Sequence, residues 1–302
     1  MSSTTTSFND FQQGSAPILN RTQPFLWSVR RELWEFRSIY VVPLVVAGIF
    51  VIGYLIGWPS HAGAAIRKPE GLHDAVSGPF EFVGMFLMAI SFIVAIFYCT
   101  EALHAERRDR SILFWKSLPI SDLTAVLAKI SIPMFVIPLI AVVLTIVTNL
   151  IMLLLGIVIL LGMGQPLGLL WSNVNLGQIW VMMAYHMFLL HGLWMAPVYG
   201  WLLLVSAWAR RLPFLWAVLP WAAVAALERV VFNASGFLRS LGNVLGGAPG
   251  SDAYPGSATA AHSWAHLHLS QAVFSPGLWV GFGFAALCVY GAANLRRRRG
   301  PV

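Results

Sequence analysis

For 80 consecutive residues, from position 130 to 209, this chain carries no Asp, Glu, Lys or Arg. A soluble domain stretch of that length would hold about 20 charged side chains. Across all 302 residues the chain is 58% hydrophobic and only 10% charged, so the shortage is general and not confined to one core segment. No water-soluble fold hides that much apolar surface, and the expected fold is an all-α, polytopic integral membrane protein.

A helix needs about 20 apolar residues to cross the hydrocarbon core. Six runs qualify, some of them marginally: 40–58, 82–99, 130–163, 179–208, 212–227 and 277–294. The third is too long for one straight span. It is expected to project beyond the bilayer or to bend near Pro133 and Pro138, where proline removes a backbone hydrogen bond. With six spans, 15 of the 19 Lys and Arg fall on one side; Arg67, Lys68, Arg229 and Arg239 fall on the other. Basic loops stay in the cytoplasm, so both termini are expected inside. The formal charge of +7 is thus a topology and anionic-lipid signal, and nucleic acid is not expected as a partner.

Residues 1–23 are rich in Ser, Thr, Gln and Asn and lack the basic and apolar regions of a signal peptide; they read as a disordered cytoplasmic tail. Residues 24–302 then form a single transmembrane domain. Of its external loops, 59–81 is mixed in character and 164–178 is uncharged. The largest, 228–276, starts with an apolar piece and is expected to dip back toward the membrane as short helices. Cys99 and Cys288 fall in expected spans without CxxC spacing and read as buried free thiols.

Two charged stretches stand out. Residues 25–39 interleave Phe25, Trp27, Leu33, Trp34 and Phe36 with Arg30, Arg31, Glu32, Glu35 and Arg37, which suits a helix lying at the inner headgroup surface. Residues 106–122 pack seven charged side chains into 17 positions between the second and third spans. Nothing between Cys99 and Leu118 is expected to break a helix running straight out of the membrane, and Glu106 and Arg110 form a favourable pair one turn apart. Pro119 ends that helix, Ser121 is suited to cap the next, and Asp122 suits its positive end. The turn would carry Phe114, Trp115, Leu118 and Ile120 as bulky apolar groups in water, either for a partner or, as a simple interfacial loop, for the headgroups.

The residues Glu106, Arg107, Ser111, Phe114, Lys116, Ser117, Leu118, Pro119, Ser121 and Asp122, followed by Lys129 at the head of the next span, carry a resemblance. The segment resembles the loop between spans two and three in the permease subunits of type-2 ABC transporters, a six-span, exporter-like family. The resemblance implies that residues 101–122 form a coupling segment docking on a separate ATPase chain, with Arg110 and Trp115 in the same surface. It also implies that Trp27, Arg30, Arg31, Trp34 and Arg37 belong to an interfacial helix beside that ATPase, and that short external helices lie between spans five and six. The expected partners are ABC ATPase subunits, a second permease copy or paralogue, and membrane lipids, in a bacterial inner membrane. ATP and Mg would be bound by the ATPase, since GxxxxGK[ST] does not occur in this chain.

HExxH and GxSxG do not occur either. A membrane-embedded enzyme would have to use His186, His191 and Glu228, and a non-transporting scaffold is the remaining alternative. His262, His266 and His268 cluster outside, where only Asp252 lies near in sequence as a further metal ligand; solvated or interfacial histidines are the plainer reading.

Overall fold

The computed structural model describes residues 23–67, 72–109, 111, 121–232 and 274–298. Every regular element among them is helical. Helix α1 (Gln23–Glu35) leads through a short turn into α2 (Ser38–Arg67), and α3 (Leu72–Glu101) returns alongside it. The short α4 (His104–Arg108) follows. Helix α5 (Asp122–Ser131) continues through a π-helical turn (Ile132–Val136) into α6 (Ile137–Gly162). After α7 (Gly168–Asn173), α8 (Leu176–Tyr185) passes through a second π-helical stretch (His186–Trp194) into α9 (Ala196–Trp208). The last two described elements are α10 (Pro213–Phe232) and α11 (Pro276–Arg298).

Five helical segments are long and apolar enough to cross a membrane: 38–60, 72–108, 122–162, 213–231 and 276–298. The fourth apolar run of the sequence is not one straight helix. Its two halves, 168–194 and 196–208, meet at a bend of 48°. Pro197 sits in the first turn of α9, where the missing amide costs no helical bond, so the chain restarts there in a new direction. The third run carries Pro133 inside the π-helical turn and Pro138 at the start of α6, which is how it absorbs both prolines without stopping.

Three expectations need correction. The helix before the first span ends at Glu35, not at residue 39; the amides of Phe36, Ile39 and Tyr40 are satisfied by turn bonds at the junction with α2. The segment 59–81, expected as an external loop, is helical wherever it is described, because α2 runs on to Arg67 and α3 begins at Leu72. Most important, the helix leaving the second span is broken. α3 stops at Glu101 and α4 starts at His104. The cause lies in another helix: Ser206 Oγ accepts from both Leu103 N (3.1 Å) and His104 N (3.0 Å), offering those amides a partner outside their own helix. The expected external helices in 228–276 fall outside the described residues beyond Phe232.

Two large buried apolar clusters fill the bundle, and a small third of Ala141, Val142, Met183 and Met187 joins α6 to α8 and the π-helical stretch after it. One gathers Ile39, Tyr98, Leu103, Val126, Tyr199, Leu203 and Ala292 at the end where α1 and α4 lie. The other gathers Tyr54, Trp58, Phe80, Met152, Leu160 and Leu170 at the opposite end. Helices α9 and α11 approach closely through small residues: a Cβ on Gly200 would lie 3.1 Å from the Ala285 backbone. By contrast α10 is almost bare, with Phe214, Leu215, Trp216, Val218, Leu219, Val224 and Leu227 all exposed. That uniform apolar exposure fits a helix solvated by lipid.

Candidate functional site

The charged residues of this chain are not spread over the surface of the α1 end; several are packed inside it. Helix α1 turns Val29 and Leu33 toward the core, as Phe36 does just past its end, and Glu32 shares that side, leaving it only 2% exposed. On the opposite side, Trp27 and Trp34 stand out with Arg30 between them, its guanidinium 5.7 and 5.5 Å from the two rings. Arg37 is also exposed. This amphipathic split is what the sequence pattern of residues 25–39 implied, except that one acidic group belongs to the inner face.

Glu32 Oε1 accepts from Lys129 Nζ at 2.7 Å, and Glu32 Oε2 accepts from Tyr98 Oη at 2.9 Å. Lys129, on α5, is itself 1% exposed. Its ammonium also lies 3.2 Å from Glu106 Oε1 on α4. Glu106, 1% exposed, is shared by three cations: Lys129, Arg31 (3.2 Å) and, through Oε2, Arg296 of α11 (3.2 Å). Arg296 reaches on to Asp122 Oδ1 at 3.0 Å. Thus Arg31, Lys129 and Arg296 are interleaved with Glu32, Glu106 and Asp122, three charges of each sign drawn from α1, α4, α5 and α11. Burying ions is costly unless each is paired and hydrogen-bonded, and here each side chain has at least one ionic partner.

A second set of contacts ties α4 to the end of α9. Arg107 Nη1 donates to Ala207 O (2.6 Å) and Ala209 O (3.3 Å), and His104 Nδ1 lies 3.3 Å from the same Ala209 carbonyl. These carbonyls belong to the last turn and exit of α9, where no intrahelical amide remains to bind them. The arginine therefore serves as a C-terminal cap in trans.

The residues singled out from the sequence divide accordingly. Glu106 and Arg107 point inward and are unavailable to a docking partner; Arg31 joins the same buried network. Ser111 Oγ donates to Glu106 O at 3.4 Å. Ser121 caps α5, accepting from Thr124 N at 3.1 Å, and Asp122 opens that helix while binding Arg296. Arg110, Phe114, Trp115, Lys116, Ser117, Leu118 and Pro119 lie outside the described residues. Glu32, Arg296, Tyr98 and Ser206 were not candidates, and Lys129 was noted only as following the motif, although three of the five carried a usable signal. Glu32 lies in the Val29–Phe36 stripe, Lys129 heads the uncharged run, and Arg296 continues the spacing of Val289, Ala292 and Ala293.

The intramembrane histidines do not converge on Glu228. His186 Nδ1 sits 2.7 Å from the carbonyl of Met182 in its own helix. His191, buried, meets Tyr199 Oη and the ring of Phe92. Among the described residues no group of His, Cys, Asp or Glu is arranged to hold a metal ion, and His262, His266 and His268 are outside them. Cys99 and Cys288 are buried and free.

These features define an all-helical protein whose long apolar helices fit a multi-pass membrane protein, with an ionic cluster closing one end of the bundle. No protein-family model matches the chain, and neither a curated protein nor a solved structure matches it.

Proposed function

We propose that this chain is the transmembrane subunit of an ATP-driven exporter of the type-2 ABC class, coupled to a separate ATPase through the segment between α4 and α5. One observation carries the reading. The two flanks of that segment, Glu106 before it and Asp122 after it, are both bound by Arg296 and so are fixed to α11 and, through Lys129 and Arg31, to α5 and α1. A push on residues 110–120 is then delivered to a braced frame and not dissipated in a loose loop. Mechanical coupling requires such a frame, because a ligand or partner shifts a conformation only through contacts that differ between the two states.

The contacts also support six crossings with both ends of the chain in the cytoplasm. Arg31 precedes the first span, Glu106 follows the second, Ala209 follows the bent pair, and Arg296 ends the last span, yet all meet at one end. An even number of crossings must separate each from the next. The bent pair α8–α9 then counts as one span, and the basic residues fall inside. In this reading two permeases, identical or related, flank the pathway in a bacterial inner membrane, and ATP and Mg stay on the ATPases.

The test is co-expression with a candidate P-loop ATPase, taken from a neighbouring reading frame where one exists, followed by purification and transport assay. The expected result is a complex whose ATPase rate and transport are uncoupled by Phe114→Asp, Leu118→Arg or deletion of 117–120, with insertion unaffected. Failure to retain any ATPase, or unchanged transport in all three variants, overturns the proposal.

A further inference from the structure

We propose that the recess between α4 and the α9–α10 connection is a binding site for the phosphate headgroup of an anionic phospholipid. The recess holds about 420 Å³ and is lined by His104, Arg108, Arg210, Arg211 and Leu212. Three arginines therefore border one hollow at the charged end of the bundle. Arg108 is shared with Asp109 (3.2 Å) and Glu101 (3.7 Å). Among the described residues no ion pair engages Arg210 or Arg211, and both are exposed. The net positive charge of the hollow rests on that pair. A guanidinium matches a phosphate in shape as well as charge, donating two parallel N–H bonds.

The hollow is also built, not incidental. Of its lining, His104 is held 3.3 Å from the Ala209 carbonyl that Arg107 also binds, and Leu212 turns with φ of +51°, a left-handed conformation uncommon for a residue with a branched side chain. Such a turn persists only where the surroundings enforce it.

What lies beside the hollow selects a lipid over a free anion. Immediately past Leu212 the chain enters α10, whose exposed side chains are apolar from Phe214 to Leu227. Phe97 and Phe214 stack there at 6.1 Å, and Trp208 packs edge-on against Trp216 at 5.1 Å, all four exposed. Tryptophan pairs at a charged rim mark the headgroup level of a bilayer. An amphiphile with a phosphate in the hollow and its chains along α3 and α10 satisfies both surfaces at once, whereas a soluble phosphate uses only the first.

Native mass spectrometry of the detergent-purified full chain, titrated with dioleoyl-phosphatidylglycerol or dioleoyl-phosphatidylcholine, provides the test. Each arginine near an anionic lipid is worth about five-fold in partitioning, so Arg210→Gln/Arg211→Gln is expected to weaken phosphatidylglycerol retention about 25-fold. Phosphatidylcholine binding should be unmoved, and Arg210→Lys/Arg211→Lys should restore the part of the loss that charge alone supplies. Arg108→Gln gives a second, single-site reading if the double variant does not fold. Equal retention by the native chain and the recess variants overturns the proposal. Displacement of the lipid by millimolar inorganic phosphate also overturns it, since the hollow would then take the free anion.

Discussion

Replacing Lys129 with Met is the sharpest probe of the ionic cluster. The ammonium sits 2.7 Å from Glu32 and 3.2 Å from Glu106, with both partners as buried as itself. At an effective dielectric constant of about 20 these two contacts are worth about 6 and about 5 kcal/mol of Coulomb energy, and desolvation of the ions takes back several kcal/mol apiece. Methionine fills nearly the same volume, so packing changes little, but Glu32 is left with only the Tyr98 hydroxyl. Removing one member of a buried pair costs about 3–5 kcal/mol, which corresponds to a fall in Tm of roughly 5–8 °C for a chain of this size. Fluorescence-detected size-exclusion after heating in detergent reads that shift. The double variant Glu32→Gln/Lys129→Met removes one charge of each sign, and the amide oxygen introduced in place of the Glu32 carboxylate can still accept from Tyr98. It should therefore lose clearly less than the sum of the two single variants, with a coupling of about 2 kcal/mol or more. Glu106 keeps Arg31 and Arg296 in both backgrounds. A Lys129→Met protein within 2 °C of the native Tm (under about 1 kcal/mol), or strict additivity in the double variant, would refute the claim that these charges are held as one unit.

Arg107→Gln should free the α9 exit carbonyls at a cost of about 2–3 kcal/mol and speed tryptic cleavage at Arg210 and Arg211; unchanged cleavage would show the cap to be idle. Gly192→Ala should lower folded yield severely, because its Cβ would lie 2.5 Å from Met134 O where the two π-helical stretches cross, whereas Gly162→Ala meets nothing within 4 Å and should be tolerated. Asp122→Asn, on a side chain 27% exposed, should cost under about 1 kcal/mol yet loosen α11 from α5; in the exporter reading it lowers ATPase coupling at an unchanged Tm, and a loss of both together would indicate a purely structural contact. With Cys99 and Cys288 replaced, single cysteines at Arg37 and Asp109 should react with impermeant maleimide from one side of the membrane and Ser172→Cys from the other; labelling of all three from the same side contradicts six crossings.

Hydropathy made the helices legible because a lipid-facing helix is apolar on every side, and composition alone then suffices. Boundaries were less so. Glu35 ends α1 because the turn at Phe36 and Arg37 satisfies its amides, and no composition change marks that point. The break after Glu101 was invisible for a better reason: its cause, the Ser206 hydroxyl, is about 100 residues away, and residues 99–104 contain no proline or glycine to announce it. The ionic cluster was half legible. Glu106 and Arg107 were found through their charge, but a charge in a short loop reads as solvated, and only the approach of α1, α5 and α11 turns it inward. Glu32 and Lys129 each interrupt an apolar stripe at helical spacing, and such interruptions are where a membrane protein hides its internal ion pairs, since an unpaired charge at that depth is expelled. Pairing the two interruptions requires knowing that helices 97 residues apart in sequence are neighbours in space. Local pattern specifies that each side chain needs a partner, and tertiary packing alone specifies which.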